Sequence, residues 1–454
     1  MTVRPVTTGA TTSSSPLIRT IPSPRVGEPG SGPHGLERDG RPLRVLAIGI
    51  NFGPEHTGIA PYTTQLCEFL SGHGAAVSVL TGVPHYPAWA VDPGYRWRFR
   101  KVDKRDRLEV RRLRHYVPRS QSAARRGLYE LTFALQVALQ RMSERPDVVL
   151  AVVPSLLSAV AAQRIAARAG VPLVVWVQDL MGQASAQSGM SGGGAAASVV
   201  GRIERWVLQR ADRVLVLNPH FRDHVRSLGI PVDRTTVHPN WSHVPAPSGA
   251  DRAHTRARLG WAPRETIVLH SGNMGLKQDL GNVIAAARIA DGDPTNTVRF
   301  VLMGDGSQRR PLQQEADGVD AVTFLDPAST AEYADVLAAA DILLVNERPT
   351  CVDMSLPSKL TSYFTSGRPV VAASPAHGGT AAEIIRSAGG VLVEPATPRR
   401  LLDAVLQMAS DPGAAHQMGI LGSLYADGHL RAHDALTSLL DAICSPSKGA
   451  ETAA

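Results

Sequence analysis

The feature that most constrains this chain is an alternation: short apolar runs ended by turn residues, separated by helix-patterned segments, halted by one Pro-, His- and Ser-rich stretch and then begun again. Residues 43–50, 76–81, 147–153, 173–177 and 213–217 read as strands, with helices over 59–70, 155–169 and 203–211. These runs are nearly continuously apolar, as strands buried on both faces of a parallel sheet must be. After 241–263 the same pattern resumes, with strands over 266–269, 298–303, 322–325, 342–345, 369–373 and 390–393 and helices between them, the last over 399–409. The expectation is an α/β fold of two Rossmann-like doubly wound domains in series. The boundaries expected are a first domain over 43–240, a linker over 241–263, a second domain over 264–420 and a C-terminal helix and tail over 421–454.

Length agrees, since 454 residues exceed the roughly 250–300 at which a single core stops growing. Residues 1–42 lack the apolar segment of a secretory signal and are expected to form a disordered tail. The longest apolar stretch, 148–162, is shorter than the roughly 20 residues that span a bilayer, so no transmembrane helix is expected. Cys67, Cys351 and Cys444 are odd in number and widely spaced, which suits a reducing cytosol. The net charge of +7 is concentrated: residues 96–126 hold thirteen Lys or Arg against Asp103, Asp106 and Glu109. With Trp97, Phe99 and Tyr116 among them and Tyr95 just before, this patch suits an anionic membrane surface, a nucleic acid or a plain solvated face.

In open parallel sheets ligands lie beyond the carboxyl ends of the strands, so the strand-to-helix loops are the places to look for chemistry. In the first such loop, 51–61, Gly58 precedes a helix start, where bare backbone amides can approach an anion. The spacing of Gly53 and Gly58 is not that of a dinucleotide fingerprint. His85 and Tyr86, and Gln178 and Asp179, follow later strands of the first domain. In the second domain the loop Ser271-Gly-Asn-Met-Gly-Leu-Lys277 presents an ammonium beside a helix start, an arrangement suited to a diphosphate. Only five residues are Lys, yet Lys277 and Lys359 both fall in loops of this edge. Gly304-Asp305-Gly306 follows another strand and is expected to let a ligand lie against the backbone. Asp291-Gly-Asp293 lies in a helix-to-strand loop, on the opposite edge, and is not taken as a metal site.

Together the 54–62 loop, Leu80-Thr-Gly-Val-Pro-His-Tyr-Pro87, Trp176-Val-Gln-Asp-Leu180, Ser271–Gln278 and Leu356-Pro-Ser-Lys359 leading to Gly367-Arg-Pro-Val-Val-Ala372 resemble the retaining GT-B glycosyltransferases of family 4. The likeness is closest to the colanic-acid-type branch that builds bacterial surface polysaccharides. It implies two domains facing across a cleft and a sugar moved from a nucleotide-sugar, bound by the second domain, to a lipid-linked glycan acceptor, bound by the first. It implies no cofactor and no obligatory metal. By position, Lys277, Lys359 and Asp179 would be catalytic; Gly58, Gly272, Asn273, Gly304, Asp305, Ser358 and Ser362 would bind the donor; and His85, Tyr86 and Gln178 would lie on the acceptor side. The family often carries two glutamates eight residues apart ahead of the Gly-Arg-Pro strand; here those positions are Met354 and Ser362. The branch also implies a cytoplasmic enzyme held peripherally at the inner membrane face through residues 96–126. An epimerase of the same fold and a basic nucleic-acid-binding protein are the alternatives, and nucleic acid is not the expected partner.

Overall fold

The computed structural model describes residues 36–444 apart from 56–57, 97–99, 119–121, 181–192, 243–250 and 351–357. Residues 1–35 of the expected tail lie outside that description, as do Trp97, Phe99, Asp353, Met354 and residues 445–454. Residues 36–42 are not tail: β1 (Glu37–Arg38) and β2 (Arg41–Pro42) pair as a short hairpin. Arg41 grips the Asp147 carboxylate with both terminal nitrogens, at 2.6 and 2.7 Å, and Arg44 N donates to it at 2.9 Å. A bidentate pair of this kind fixes orientation as well as distance.

The first lobe then runs β3 (Arg44–Ile48), α1 (Ala60–Gly72), β4 (Ala76–Gly82), β5 (Arg100–Arg105), β6 (Leu108–Leu113), α2 (Ala123–Ala138) and β7 (Val148–Val153). It continues through α3 (Leu156–Ala169), β8 (Leu173–Val177), α4 (Gly193–Gln209), β9 (Arg213–Val216), α5 (Pro219–Ser227) and β10 (Thr235–Val237). Its sheet has the order β10-β9-β8-β7-β3-β4-β6-β5, parallel except for the β5–β6 hairpin. The second lobe runs α6 (Arg252–Arg258), β11 (Thr266–Ser271), α7 (Gly281–Asp291), β12 (Val298–Met303), α8 (Arg309–Glu315), β13 (Val322–Leu325), α9 (Thr330–Ala339) and β14 (Ile342–Asn346). After these come α10 (Lys359–Thr365), β15 (Val370–Ala373), α11 (Gly379–Ser387), β16 (Gly390–Val393), α12 (Pro398–Ser410), α13 (Pro412–His429) and α14 (Ala432–Cys444). That sheet is wholly parallel, in the order β13-β12-β11-β14-β15-β16.

Each sheet is covered on both faces by an apolar layer, so the central strands are buried along their whole length. Strand order reverses between β3 and β7 in the first sheet and between β11 and β14 in the second. At such switch points neighbouring loops diverge and leave a crevice. The chain closes by returning: α14 packs Leu436, Leu439 and Ile443 into the first-lobe layer that also holds Val45, Leu66 and Trp241. The expected linker contains α6, where buried Arg256 donates to Ala339 O, Ala262 O and Glu265 O and pairs with Asp341.

The basic patch is less free than its composition suggests. Arg111 and Arg112 are buried in β6, Arg111 against Glu109 and Arg112 against Asp103 at 3.1 Å and Gly53 O at 2.5 Å. Arg112 ties the hairpin to the first loop, and Arg111 ties it to Arg141 O at 3.1 Å. Arg100 and Arg105 on β5 remain exposed.

Candidate active site

At the switch point of the second lobe the loops after β11 and β12 form one cradle. Gly304 (φ +144°) lies so close to Gly272 that a Cβ on it would fall 1.9 Å from the Gly272 carbonyl oxygen. A Cβ on Gly306 would fall 2.5 Å from Met274 O. These glycines therefore admit the close approach of the neighbouring loop. Met274 N donates to Asp305 O at 2.8 Å and Gln308 N to Met274 O at 2.9 Å, and the Asp305 carboxylate accepts from Gly306 N at 2.8 Å. Asn273 is exposed at the top of the same cradle, with its side-chain oxygen beside Gly306.

Lys277 sits in the 3₁₀ turn Leu276–Gln278. Asn346, at the end of β14, holds that turn by donating to Gln278 O and Asp279 O, each at 2.9 Å, while its own side-chain oxygen accepts from Asn282 at 2.8 Å. Glu347 follows, buried, its carboxyl pushed above the usual range by burial and partly restored by Lys277, a hydrogen bond to Thr380 and Lys359. Lys359 opens α10 and donates to His270 Nε2 at 3.2 Å. Burial pushes its ammonium down to about 7, Glu347 opposing the fall and Lys277 adding to it. His270 is fully buried and held neutral by that burial and by the Lys359 charge. Both lysines thus act electrostatically on the one buried carboxylate of Glu347.

Across from them the first lobe contributes Asp179, after β8. Burial raises its carboxyl to about 6, with Lys277 of the other lobe as the strongest opposing influence, followed by the Leu180 amide. Gly58 (φ +66°) packs its loop on the Tyr86 ring, 3.3 Å from where a Cβ would stand. Arg126 of α2 acts electrostatically on both Tyr86 and Asp179 and lies 5.0 Å from the centroid of the Trp89 ring. Glu130, one turn along α2, receives a hydrogen bond from Ser155 at 2.8 Å, and burial raises its carboxyl to about 7. The lobes also touch directly, Tyr62 of α1 hydrogen-bonding Thr361 of α10.

Two expected acceptor-side residues point elsewhere. The His85 ring is spent on Val83 O at 2.8 Å and Tyr129 OH at 2.9 Å, inside an aromatic cluster with His115 and Trp89. Its backbone amide and that of Tyr86 are held by Glu55 at 2.8 and 2.9 Å. Gln178 forms a reciprocal amide pair with Asn240, at 3.1 and 2.9 Å, so both its polar atoms are engaged within the lobe. Ser358 caps the start of α10 in position but not through its side chain, and Ser362 is buried within that helix. Sequence reasoning missed Glu347, Asn346, Arg126 and Glu130. The first two carry a local signal, because polar residues directly follow an apolar strand on the ligand edge.

Comparison with known proteins agrees with this geometry. Residues 57–241 match the description "Glycosyl transferase 4-like domain" and residues 265–411 match "Glycosyl transferases group 1". WcaI of Escherichia coli (strain K12), whose name assigns it to colanic acid biosynthesis as a glycosyl transferase, is 31% identical over 337 residues, 72% of this chain and 82% of WcaI. The chain belongs to glycosyltransferase family 4. A D-inositol 3-phosphate glycosyltransferase of Nocardia farcinica is 30% identical over 242 residues, about half of each protein. Among solved structures, sucrose-phosphate synthase from Thermosynechococcus elongatus superposes with a TM-score of 0.70 at 19% identity, covering 88% of this chain and 98% of its own. Anabaena HepE in complex with UDP and glucose superposes with a TM-score of 0.65 at 16% identity, covering 89% and 100%. The fold of this family 4 member is therefore GT-B, with two Rossmann-like domains.

Proposed function

We propose that this glycosyltransferase moves a hexosyl group, with retention, from a nucleotide-sugar to a lipid-linked glycan in cell-surface polysaccharide synthesis, without a metal. The observation that carries the reading is the pair Lys277 and Lys359, both acting on Glu347 at the switch point of the second lobe, with Lys277 acting also on Asp179 of the first. A sugar diphosphate lying across them meets two ammonium groups where the leaving group gains charge. The bond from sugar to phosphate loosens, positive charge grows at the anomeric carbon, and the diphosphate departs toward Lys277 and Lys359. The acceptor hydroxyl then bonds to that carbon on the same face and passes its proton to the departing phosphate oxygen. Asp179, its carboxyl raised to about 6 and so mostly ionised at neutral pH, orients the acceptor hydroxyl and is not asked to form a covalent bond.

Names of the relatives support the substrate classes: colanic acid synthesis for WcaI, and UDP with glucose in the HepE complex. No helix among the described residues is long and apolar enough to cross a membrane. Attachment at the inner membrane face is assigned to the exposed cations of residues 96–126. A thermal-shift panel of uridine, guanosine and adenosine diphosphate sugars tests the donor site. Stabilisation by one base class supports the reading, and indifference to all of them overturns it.

A further inference from the structure

One large concavity lies outside the crevice. It has a volume of about 730 Å³ and opens between α2, the loop around Trp89 and the carboxyl end of β6. Trp89, Tyr116, Leu135 and Leu139 supply its apolar wall, and Arg96 and Arg114 stand at its rim. That volume is within the range of small-molecule sites, roughly 300–1,000 Å³. The Arg114 guanidinium is fixed there through one nitrogen, which donates to the carbonyls of Tyr95 and Arg96. Beside the cavity α2 turns an apolar stripe outward: Leu128, Leu131, Leu135 and Leu139 are 45, 46, 53 and 74% exposed. The two most exposed of these, Leu135 and Leu139, belong to the cavity wall, and apolar side chains left bare beside Arg96 and Arg114 suit an amphipathic ligand.

The position of α2 selects the ligand. Its first turn carries Arg126, which acts on Asp179 and Tyr86 in the crevice, and its last turn carries the cavity wall. At about 1.5 Å per residue the two ends are about 20 Å apart. The helix therefore runs from the reacting end of an acceptor to a hollow whose wall is part apolar and part cationic. We propose that this cavity binds the hydrocarbon chain of the lipid-linked acceptor, with the lipid phosphate toward Arg96 and Arg114. This rests on the lipid-linked acceptor proposed above and assigns its chain to a site on the protein instead of leaving it in the bilayer.

The test uses the full-length protein and geranylgeranyl phosphate as probe, read by tryptophan emission. A saturable blue shift is expected, lost in Trp89→Phe, and absent with inorganic phosphate. Geranylgeraniol should bind at least tenfold more weakly, and Arg114→Gln should narrow that gap. Leu135→Glu with Leu139→Glu should weaken binding at least tenfold, while Leu128→Glu, the same change on the same helix beyond the cavity, should leave it within twofold. Absence of a saturable shift, or equal losses from Leu128→Glu and the cavity pair, overturns the proposal. A parallel thermal shift with nucleotide-sugars separates the two readings. Donor stabilisation without chain binding removes the cavity site alone, whereas chain binding without any donor stabilisation removes its tie to an acceptor along with the transferase reading.

Discussion

Lys359 is the residue on which the charge balance of the crevice turns. Its ammonium titrates at about 7 because burial outweighs the nearby Glu347 carboxylate. If the charged form stabilises the leaving diphosphate, kcat/KM falls as pH rises through that value. Glu347→Gln removes the influence that raises the Lys359 value, so the alkaline limb should move to lower pH. Lys277→Ala removes a like charge that depresses it, so the limb of the residual activity should move to higher pH. A pH–rate profile of the two variants checks both signs, and shifts in the same direction would contradict this account. Lys277→Ala should also lower kcat on the order of 100- to 1,000-fold, the usual cost of removing one donor to a developing anion. Its circular dichroism and melting temperature should stay unchanged, because Lys277 lies on a partly exposed turn held through backbone carbonyls.

The elements are set by close approach as much as by propensity. At Gly304 a side chain meets both a disfavoured φ and the Gly272 carbonyl. Gly304→Ala should therefore cost about 3 kcal/mol or more and abolish donor stabilisation. Gly318→Ala, at φ +74° with nothing within 4 Å, should cost about 1–2 kcal/mol. Urea unfolding of both variants measures the difference. The β5–β6 hairpin makes a similar distinction among its cations. Replacing exposed Arg100 and Arg105 by Gln should weaken flotation with anionic vesicles by about 2 kcal/mol at low salt, near 1 kcal/mol per cation. Arg112→Gln should instead lower the melting temperature, since it strips Asp103 and Gly53 O of their partner. Reading residues 96–126 as a charged face missed this hairpin because Arg, Lys, Asp and Glu fill positions that strands usually give to apolar residues. Ion pairs across the two strands and the hydrogen bond from Arg112 to the first loop supply what the apolar pattern lacks.

On the scale of the molecule, the last helix ties the end of the chain to its beginning. Leu439 of α14 is wholly buried in the first-lobe layer, and Ser438 meets His238 at 3.0 Å. Leu439→Ala should destabilise by about 2–5 kcal/mol in urea. The substitution lies far in sequence from the first lobe, yet that lobe is where the loss should be read, as faster amide exchange in β3 and α1.

The sequence by itself determined the two runs of strand and helix, because a strand buried on both faces must be apolar along its length; residues 173–177 and 298–303 were legible to the residue. It also determined that Lys277 and Asp179 follow strands and that Lys359 stands at a helix entry, all on one edge, since parallel topology sends every strand-to-helix connection to that edge. Tertiary structure alone decided what those loops meet. Glu347 between the lysines, Arg126 brought over by α2, and the loss of His85 and Gln178 to internal partners all depend on distances between residues far apart in the chain, to which no local pattern gives access.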